Sequence, residues 1–228
     1  MPDGTEHVIR FRMQFVSAYL LRGEGGFVLV DAGYPYFERL FRRRCRQHGI
    51  DPQSIRLILL THGHLDHIGG AKALRDLTGA PLAIHRADAD ALRTGRFGRL
   101  IPRTWLGWLT ALAANRQVLP PSCRCEPDIL LDGELDLGEY GVAGRAIHTP
   151  GHTQGSMAVI LDSGEAVVSD LVMPNFPLLS RPFRPIYAES MEQVRQSVRK
   201  VLDCKPRIIY CAHGGPLDPA AVGRFYRC

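Results

Sequence analysis

The sequence predicts an α/β sandwich in which helices pack outside a pair of β-sheets. Short apolar runs of strand length recur in both halves of the chain, and segments with helical periodicity lie between them. Hydrophobic residues make up 45% of the 228 residues and charged residues 22%. This balance excludes a disordered chain and provides enough apolar surface for one sizeable core.

The first half of the chain predicts mainly strands. Apolar runs of strand length occur at 8–13, 17–22, 27–30, 55–60 and 81–84. Gly25-Gly26 predicts a hairpin turn, and the run at 55–60 is typical of a strand buried on both faces. Helices are predicted at 36–48, where Gly49 provides a C-terminal cap, and at 71–77.

The second half repeats this alternation. Short apolar runs predict strands at 128–131, 143–148, 157–161, 166–169 and 207–211. Helices are predicted at 191–202 and in the C-terminal tail. Two proline-rich segments, at about 95–127 and 171–189, interrupt the pattern. We therefore interpret residues 1–228 as a single domain with two insertions.

Charge and composition indicate which kinds of partner and which cellular compartment to expect. The net charge is +5, but the 25 arginines are scattered and accompany no nucleic-acid module, so no nucleic-acid partner is expected. No apolar run approaches the roughly 20 residues of a membrane span. The first fourteen residues carry acids and no apolar signal segment, and the six cysteines form no paired zinc knuckles. These features predict a cytoplasmic protein with free thiols.

Four metal-competent side chains fall within six residues, directly after the run at 55–60. Residues two apart in extended chain point to the same side, so His62 and His64 can face one point. Asp66 and His67 lie where the chain turns into the next helix and can face a second point. Four nitrogen or oxygen ligands at this spacing suit a closely spaced metal pair better than one tetrahedral site.

Three more such side chains lie on loops after predicted strands. His152 occupies a glycine-containing turn after His148, Asp170 ends the strand at 166–169, and His213 follows the strand at 207–211. Open α/β sheets place their functional sites at the carboxyl ends of strands. The remaining histidines are interpreted as ordinary structural residues: His7, His48, His85 and His148.

This pattern resembles the metallo-β-lactamase-fold superfamily. The resemblance rests on His62-x-His64-x-Asp66-His67, on the three later ligands in order, and on the earlier turn Val30-Asp31-Ala32-Gly33. It covers nearly the whole chain and implies an αβ/βα four-layer sandwich with two divalent metals at one sheet edge. One metal would take His62, His64 and His152, and the other Asp66, His67 and His213. Asp170 would bridge both, and Asp31 would support the site from behind.

The ligand set and the resemblance together predict a hydrolase. Imidazole and carboxylate ligands without a thiolate suit zinc, with iron or manganese as alternatives. Two ions about 3.5–4 Å apart share a water and acidify it, and Asp66 would orient the resulting hydroxide. The predicted reaction is cleavage of an ester, lactone or thioester in a small molecule. The alternatives are a phosphodiesterase on the same site and a non-catalytic metal-binding module.

The resemblance also indicates which branch of the superfamily the chain is most similar to. True β-lactamases of this fold carry Cys or Ser where this chain has Asp170, which favours the glyoxalase II and lactonase branches. The predicted substrate-binding residues are Trp105, Trp108, Phe176 and Tyr187, all in the two insertions. The two tryptophans belong to an apolar stripe with Ile101, Leu109 and Leu112. That stripe could instead pack on the sandwich core or form the face of a homo-oligomer.

Overall fold

The computed structural model describes residues 7–13, 15–175 and 181–228 and contains two packed β-sheets. Six strands form the first sheet in chain order: β1 Val8–Met13, β2 Val16–Gly23, β3 Gly26–Val30, β4 Ile55–Leu59, β5 Leu82–His85 and β6 Ile129–Leu131. β1, β2 and β3 are antiparallel neighbours, whereas β3 to β6 run parallel.

The second sheet has a different strand order. Its strands are β7 Leu135–Asp136, β8 Gly144–His148, β9 Met157–Leu161, β10 Glu165–Ser169 and β13 Ile208–Cys211. Between β10 and β13 in the chain, β11 Met173–Pro174 and β12 Pro182–Phe183 form a separate two-stranded ribbon. In space the order is β13-β10-β9-β8-β7. β10 and β13 are parallel, so their carboxyl ends meet at one edge of this sheet.

Seven helices lie in the described part of the chain. They are α1 Glu38–His48, α2 Leu65–Ile68, α3 Ala71–Thr78, α4 Ala89–Thr94, α5 Trp105–Ala114, α6 Met191–Asp203 and α7 Pro219–Tyr226. Their ends follow from local chemistry. Gly49 ends α1 in the left-handed conformation, and Asp218 caps α7 with Pro219 in the first helical position.

Three apolar clusters define four layers. Tyr19 and Leu57 of the first sheet share one cluster with Val159 and Val167 of the second, so the two sheets face each other. The outer face of the first sheet packs against helix residues such as Phe41 of α1 and Leu74 of α3. The outer face of the second sheet packs against residues of α6 and α7, including Val194, Val198 and Val222. The predicted αβ/βα sandwich is confirmed.

Several helix boundaries differ from the sequence-based expectation. α1 begins at Glu38 because Tyr36 adopts φ 66°, which is incompatible with a helix. α5 begins at Trp105, where the Thr104 side chain accepts a hydrogen bond from the Gly107 amide, so Ile101 lies outside the helix. The helices α2 and α4 were not predicted, and each is too short to show helical periodicity.

Candidate metal centre

The centre forms where four parallel strand ends meet. Asp31 directly follows β3, and His62 lies three residues beyond the end of β4. Asp170 directly follows β10, and His213 lies two residues beyond β13. The pairs β3–β4 and β10–β13 are each parallel, so the chain delivers these side chains to a common edge of the two sheets.

Three imidazole nitrogens converge in the first ligand group, which we call the histidine triad: His62, His64 and His152. His62 Nε2 lies 3.0 Å from His64 Nδ1, and His152 Nε2 lies 3.2 Å from the former and 3.0 Å from the latter. The other nitrogen of His152, Nδ1, donates to the Tyr187 carbonyl over 2.8 Å. A carbonyl can only accept, so His152 Nε2 presents a lone pair to the centre.

Burial keeps the histidine triad neutral. It lowers the pKa of His62 and of His152, and it lowers the pKa of His64 to about 3. Neighbouring imidazoles lower the pKa of His62 and His64 further. Neutral imidazole is the form that binds a metal, so three such nitrogens at this separation form a ready-made ligand set.

The second group, which we call the mixed triad, consists of Asp66, His67 and His213. Asp66 Oδ2 lies 3.3 Å from His213 Nε2 and 3.7 Å from His67 Nε2. Both histidines are anchored through Nδ1, which donates to the Phe15 carbonyl over 2.6 Å in His213 and to Asp31 Oδ2 over 2.8 Å in His67. These anchors turn both Nε2 atoms toward the centre.

In the mixed triad, neighbouring carboxylates stabilise the protonated form of the histidines. Burial alone would lower the pKa of His67, but three nearby carboxylates, Asp31 first, raise it to about 9. The pKa of His213 is also raised well above its ordinary value, against burial, mainly by Asp170. Burial opposes ionisation of Asp66, yet His67 and His213 hold the pKa of that carboxyl at about 2.

Asp170 lies between the two triads. Its Oδ2 is 3.6 Å from His152 Nε2 and 3.4 Å from His213 Nε2, and its Oδ1 is 3.7 Å from His67 Nε2. Among the described residues, Asp170 Oδ1 and His67 Nε2 are buried without a hydrogen-bond partner. Such atoms are costly unless satisfied, and a divalent cation between them would satisfy both. The residues present therefore fit a metal centre.

Asp31 ties the triads together behind the centre. Besides His67, its carboxylate accepts from the Thr61 amide over 2.8 Å, and Thr61 Oγ1 lies 2.8 Å from the same oxygen, Asp31 Oδ1. Thr61 Oγ1 is also 2.8 Å from Ser169 Oγ and 3.1 Å from His62 Nδ1. Asp31 and Ser169 adopt left-handed φ values of 65° and 50°, a strain typical of functional sites.

A family model for the metallo-beta-lactamase superfamily matches residues 12–213. The chain belongs to the metallo-beta-lactamase superfamily. Proteins of this superfamily are mostly metal-dependent hydrolases that bind divalent metals, typically zinc. This agrees with the ligand groups that the fold brings together.

Relatives of known sequence extend the match. An uncharacterised protein of Mycobacterium leprae is 30% identical over 221 residues, covering 92% of this chain and 91% of that protein. The probable metallo-hydrolase YflN of Bacillus subtilis is 24% identical over 221 residues, covering 84% and 76%. An uncharacterised Mycobacterium tuberculosis protein is 37% identical over 131 residues, covering 57% and 52%. The chain thus matches about half the length of that relative.

Solved structures of the metallo-beta-lactamase superfamily share the fold. A Cronobacter sakazakii metallo-beta-lactamase with a HARLDQ motif superposes with a TM-score of 0.65 at 26% identity, covering 90% of this chain and 77% of that one. A metallo-beta-lactamase family protein from Thermus thermophilus gives a TM-score of 0.66 at 23% identity, covering 96% and 77%. This likeness supports the four-layer architecture.

Asp88 is a supporting residue of the centre that sequence reasoning missed. Its Oδ2 accepts from the Gly63 amide over 2.8 Å and from Thr153 Oγ1 over 2.7 Å, and its Oδ1 accepts from the Gly155 amide over 3.0 Å. Gly63 stands between His62 and His64, and Thr153 follows His152. One carboxylate thus joins the two loops that carry the histidine triad. An isolated Asp with partners 25 to 67 residues away leaves no sequence pattern.

Tyr34 is a second residue that sequence reasoning missed. It lies near Asp66 and Asp170, and burial together with these carboxylates raises the pKa of its phenol to about 12. Tyr34 therefore remains a protonated hydrogen-bond donor at neutral pH. Its position three residues after Asp31 is the only indication in the sequence.

The predicted substrate-binding residues fall in different places. Tyr187 contacts the centre through its carbonyl, whereas its hydroxyl lies 2.5 Å from Thr110 Oγ1 of α5. Trp105 and Trp108 lie on the exposed face of α5, so the stripe does not belong to the core. Phe176 lies outside the described residues.

The histidines interpreted as structural stay apart from the metal-competent groups of the described residues. The rings of His85 and His148 stack, with centroids 4.1 Å apart and planes 7° from parallel. This face-to-face geometry directs their nitrogens edgewise rather than toward a shared point. In the described part of the chain, no helix combines the length and apolar character needed to cross a membrane.

Proposed function

We propose that this chain is a dinuclear metal-dependent hydrolase that cleaves an ester, lactone or thioester bond in a small molecule. The observation that carries the proposal is Asp170, whose carboxylate reaches the histidine triad on one side and the mixed triad on the other. A single ion would need only one triad. A carboxylate within 3.7 Å of donors in both triads could bind two ions at once, which supports a metal pair.

The seven proposed ligands divide by triad. His62, His64 and His152 would hold one ion, Asp66, His67 and His213 the other, and Asp170 both. All donors are imidazole nitrogens or carboxylate oxygens, which favours zinc and also suits iron or manganese. When bound, the two ions supply Lewis acidity toward a carbonyl oxygen and lower the pKa of the attacking water.

Two side chains would then manage protons and orientation. Asp66 is ionised at neutral pH because His67 and His213 hold its pKa at about 2, so it can accept a hydrogen bond from the attacking water and aim it. Burial and the nearby carboxylates Asp66 and Asp170 raise the pKa of Tyr34 to about 12, so its phenol keeps its proton at neutral pH. Asp31, Thr61 and Asp88 hold the ligands in place.

The described residues of the two insertions, at about 95–127 and 171–189, would form a wall of the cleft. Pro102 pairs with Tyr187 in an isolated β-bridge, and Arg103 donates to the carbonyls of Ala188 and Glu189. The Tyr187 carbonyl accepts from His152, so this wall reaches the histidine triad. Tyr187 and Phe176 remain predicted substrate contacts. Trp105 and Trp108 remain predicted substrate contacts only for a substrate that reaches the outer face of α5.

Metal analysis and a substrate screen test the proposal. Elemental analysis of the purified protein should give two ions per chain, and one ion or none would contradict the dinuclear assignment. The metal-loaded protein is then offered an acetyl ester, a γ-lactone, an acyl thioester, a β-lactam and a phosphodiester. We expect turnover of a carbonyl substrate, led by an ester, lactone or thioester. Turnover of the phosphodiester alone would favour the phosphodiesterase alternative, and metal binding without turnover a non-catalytic module.

A further inference from the structure

Helix α5 exposes an unusually apolar outer face. Trp105 is 78% exposed, Trp108 72%, Leu109 75% and Leu112 68%. We call these four side chains the α5 patch. Exposed apolar groups are common singly, but a cluster of large ones on one helix marks an interaction site. The sequence WLGWLTALAA is apolar on every side, so burying one face leaves the other apolar as well.

The inner face of α5 is fixed to the rest of the fold. Gly107 packs so closely on the Ile186 carbonyl that an added Cβ would lie 2.7 Å from its oxygen. Thr110 Oγ1 lies 2.5 Å from the Tyr187 hydroxyl, and Asn115 hydrogen-bonds both the amide and the carbonyl of Leu100. These contacts hold the inner face of α5 against the fold and leave the α5 patch facing outward.

The segment that carries the patch contains charged residues of one sign. Residues 91–125 contain six arginines and no aspartate or glutamate. Three of these arginines are exposed, namely Arg96 and Arg99 before the helix and Arg116 just after it. The Asn115–Leu100 hydrogen bonds bring the chain around Arg99 and Arg116 together at the carboxyl end of α5. The Glu189 carboxylate lies beside Gly98 and offsets part of this charge.

We propose that the α5 patch docks on an anionic lipid surface. Tryptophan and leucine side chains would enter the boundary between headgroups and acyl chains, and Arg96, Arg99 and Arg116 would face lipid phosphates. A second copy of the chain fits less well, because a symmetric dimer places the same patch on itself and would bring the arginines of both copies together. The α5 patch acts through partitioning, so the inference holds whatever the centre hydrolyses.

Intrinsic fluorescence tests this docking directly, because both tryptophans of the chain lie on α5. The protein is titrated with vesicles of phosphatidylcholine containing phosphatidylglycerol and, separately, with pure phosphatidylcholine vesicles. We expect a blue shift, quenching by brominated acyl chains and co-sedimentation with the anionic vesicles, all weakened by pure phosphatidylcholine and by high salt. Anionic vesicles that produce neither shift nor sedimentation would overturn the proposal.

A pair of charge variants controls for non-specific attraction of a basic protein. Each arginine near an anionic surface contributes about 5-fold in partitioning, so Arg99→Gln with Arg116→Gln should weaken vesicle binding about 25-fold. Arg42→Gln with Arg43→Gln removes the same charge from the exposed side of α1 and should change binding little. Equal losses in both variants would overturn a docking site at α5.

The rival occupants give different results. A blue shift that grows with protein concentration, accompanied by a dimer on a sizing column and no vesicle binding, assigns the patch to a second copy. A shift with a soluble long-chain ester and none with vesicles assigns it to substrate. Either result contradicts lipid docking. Hydrolysis without vesicle binding would leave the proposed function standing, and vesicle binding without hydrolysis would leave this inference standing.

Discussion

The histidine triad is electrically neutral, whereas the mixed triad combines charges of both signs. In the histidine triad, burial dominates, the imidazoles are neutral, and their nitrogens lie 3.0–3.2 Å apart. In the mixed triad, carboxylates dominate, and the donors stand 3.3 Å and 3.7 Å from Asp66. Hydrogen bonds to backbone carbonyls orient a histidine in each triad, and charge–charge contacts additionally hold the mixed triad together.

Removing Asp66 should produce the largest effect, because it removes a proposed metal ligand and the proposed water-orienting group from the mixed triad together. For Asp66→Ala we expect kcat/KM to fall by about 10²- to 10⁴-fold on the best substrate found in the screen. The metal content should drop from two ions to one, held by the histidine triad. Far-ultraviolet circular dichroism should show an unchanged fold.

His48→Ala is the matched control for this prediction. His48 lies at the exposed end of α1, where its ring is 5.7 Å from that of Phe11. Its loss should leave kcat/KM within a few-fold and the metal content at two. If His48→Ala were as damaging as Asp66→Ala, or if Asp66→Ala kept both ions, the division into two triads would be wrong.

Replacing Asp31 tests the support of the mixed triad. Its carboxylate pairs with His67 in a nearly dry environment and also accepts from the Thr61 amide. Removing one partner of a buried ion pair typically destabilises a protein by about 3–5 kcal/mol. In the metal-free protein, where His67 is protonated, Asp31→Asn should lower the free energy of unfolding by that order in urea titrations. Asp162→Asn, at an exposed position after β9, should be neutral, and equal values for both would refute the support role.

Replacing Asp88 tests the histidine triad in turn. Asparagine offers an N–H group where one of two backbone amides now donates, so the loops of His62–His64 and His152 should loosen. Residues that orient metal ligands typically contribute 10- to 100-fold in metal affinity. Asp88→Asn should therefore release one ion to a competing chelator at about 10- to 100-fold lower chelator concentration, with the second ion unaffected.

Asp90→Asn provides the control for Asp88, because Asp90 is exposed on α4 and its side chain contacts Arg93. Chelator titration of this variant should superpose on that of the natural protein. Loss of both ions together in Asp88→Asn would show that the two triads are not independently supported. The assignment of Asp88 to the histidine triad alone would then be wrong.

The sequence predicted the contacts that depend on local spacing. The His62-x-His64 alternation places two ring nitrogens 3.0 Å apart, and the strand ends carry Asp170 and His213 to the same edge. Most strands of the two sheets were predictable for the same reason, since they contain short apolar runs, but the two-residue strand β7 Leu135–Asp136 was not predicted. The αβ/βα layering came from the resemblance of these motifs to a known family.

Features that depend on the three-dimensional path of the chain were not predictable. Asp88 hydrogen-bonds residues far along the chain, and the Phe15 and Tyr187 carbonyls that anchor His213 and His152 are backbone groups with no residue preference. The four-residue helix α2 is too short for periodicity. In α5, an apolar sequence on all sides concealed which face would pack, and the close approach at Gly107 decided it.

The stacked pair His85–His148 differs from both triads, because its imidazole rings face each other and do not converge on a common point. We expect the smallest effect, a change in the pH dependence of stability, from this pair. Burial, followed by the neighbouring His148, lowers the pKa of His85, and this outweighs Asp88 and Asp132, which raise it; Arg86 lowers it slightly. The unfolded chain therefore takes up this proton more readily than the folded chain. The stabilisation is full above the unfolded pKa of about 6.5 and declines as the pH falls below it.

His85→Gln should flatten the loss of melting temperature between pH 7 and pH 5, while His7→Gln, at an exposed position, should leave that loss unchanged. A pH profile that His85→Gln does not alter would mean that the acid destabilisation arises elsewhere in the protein.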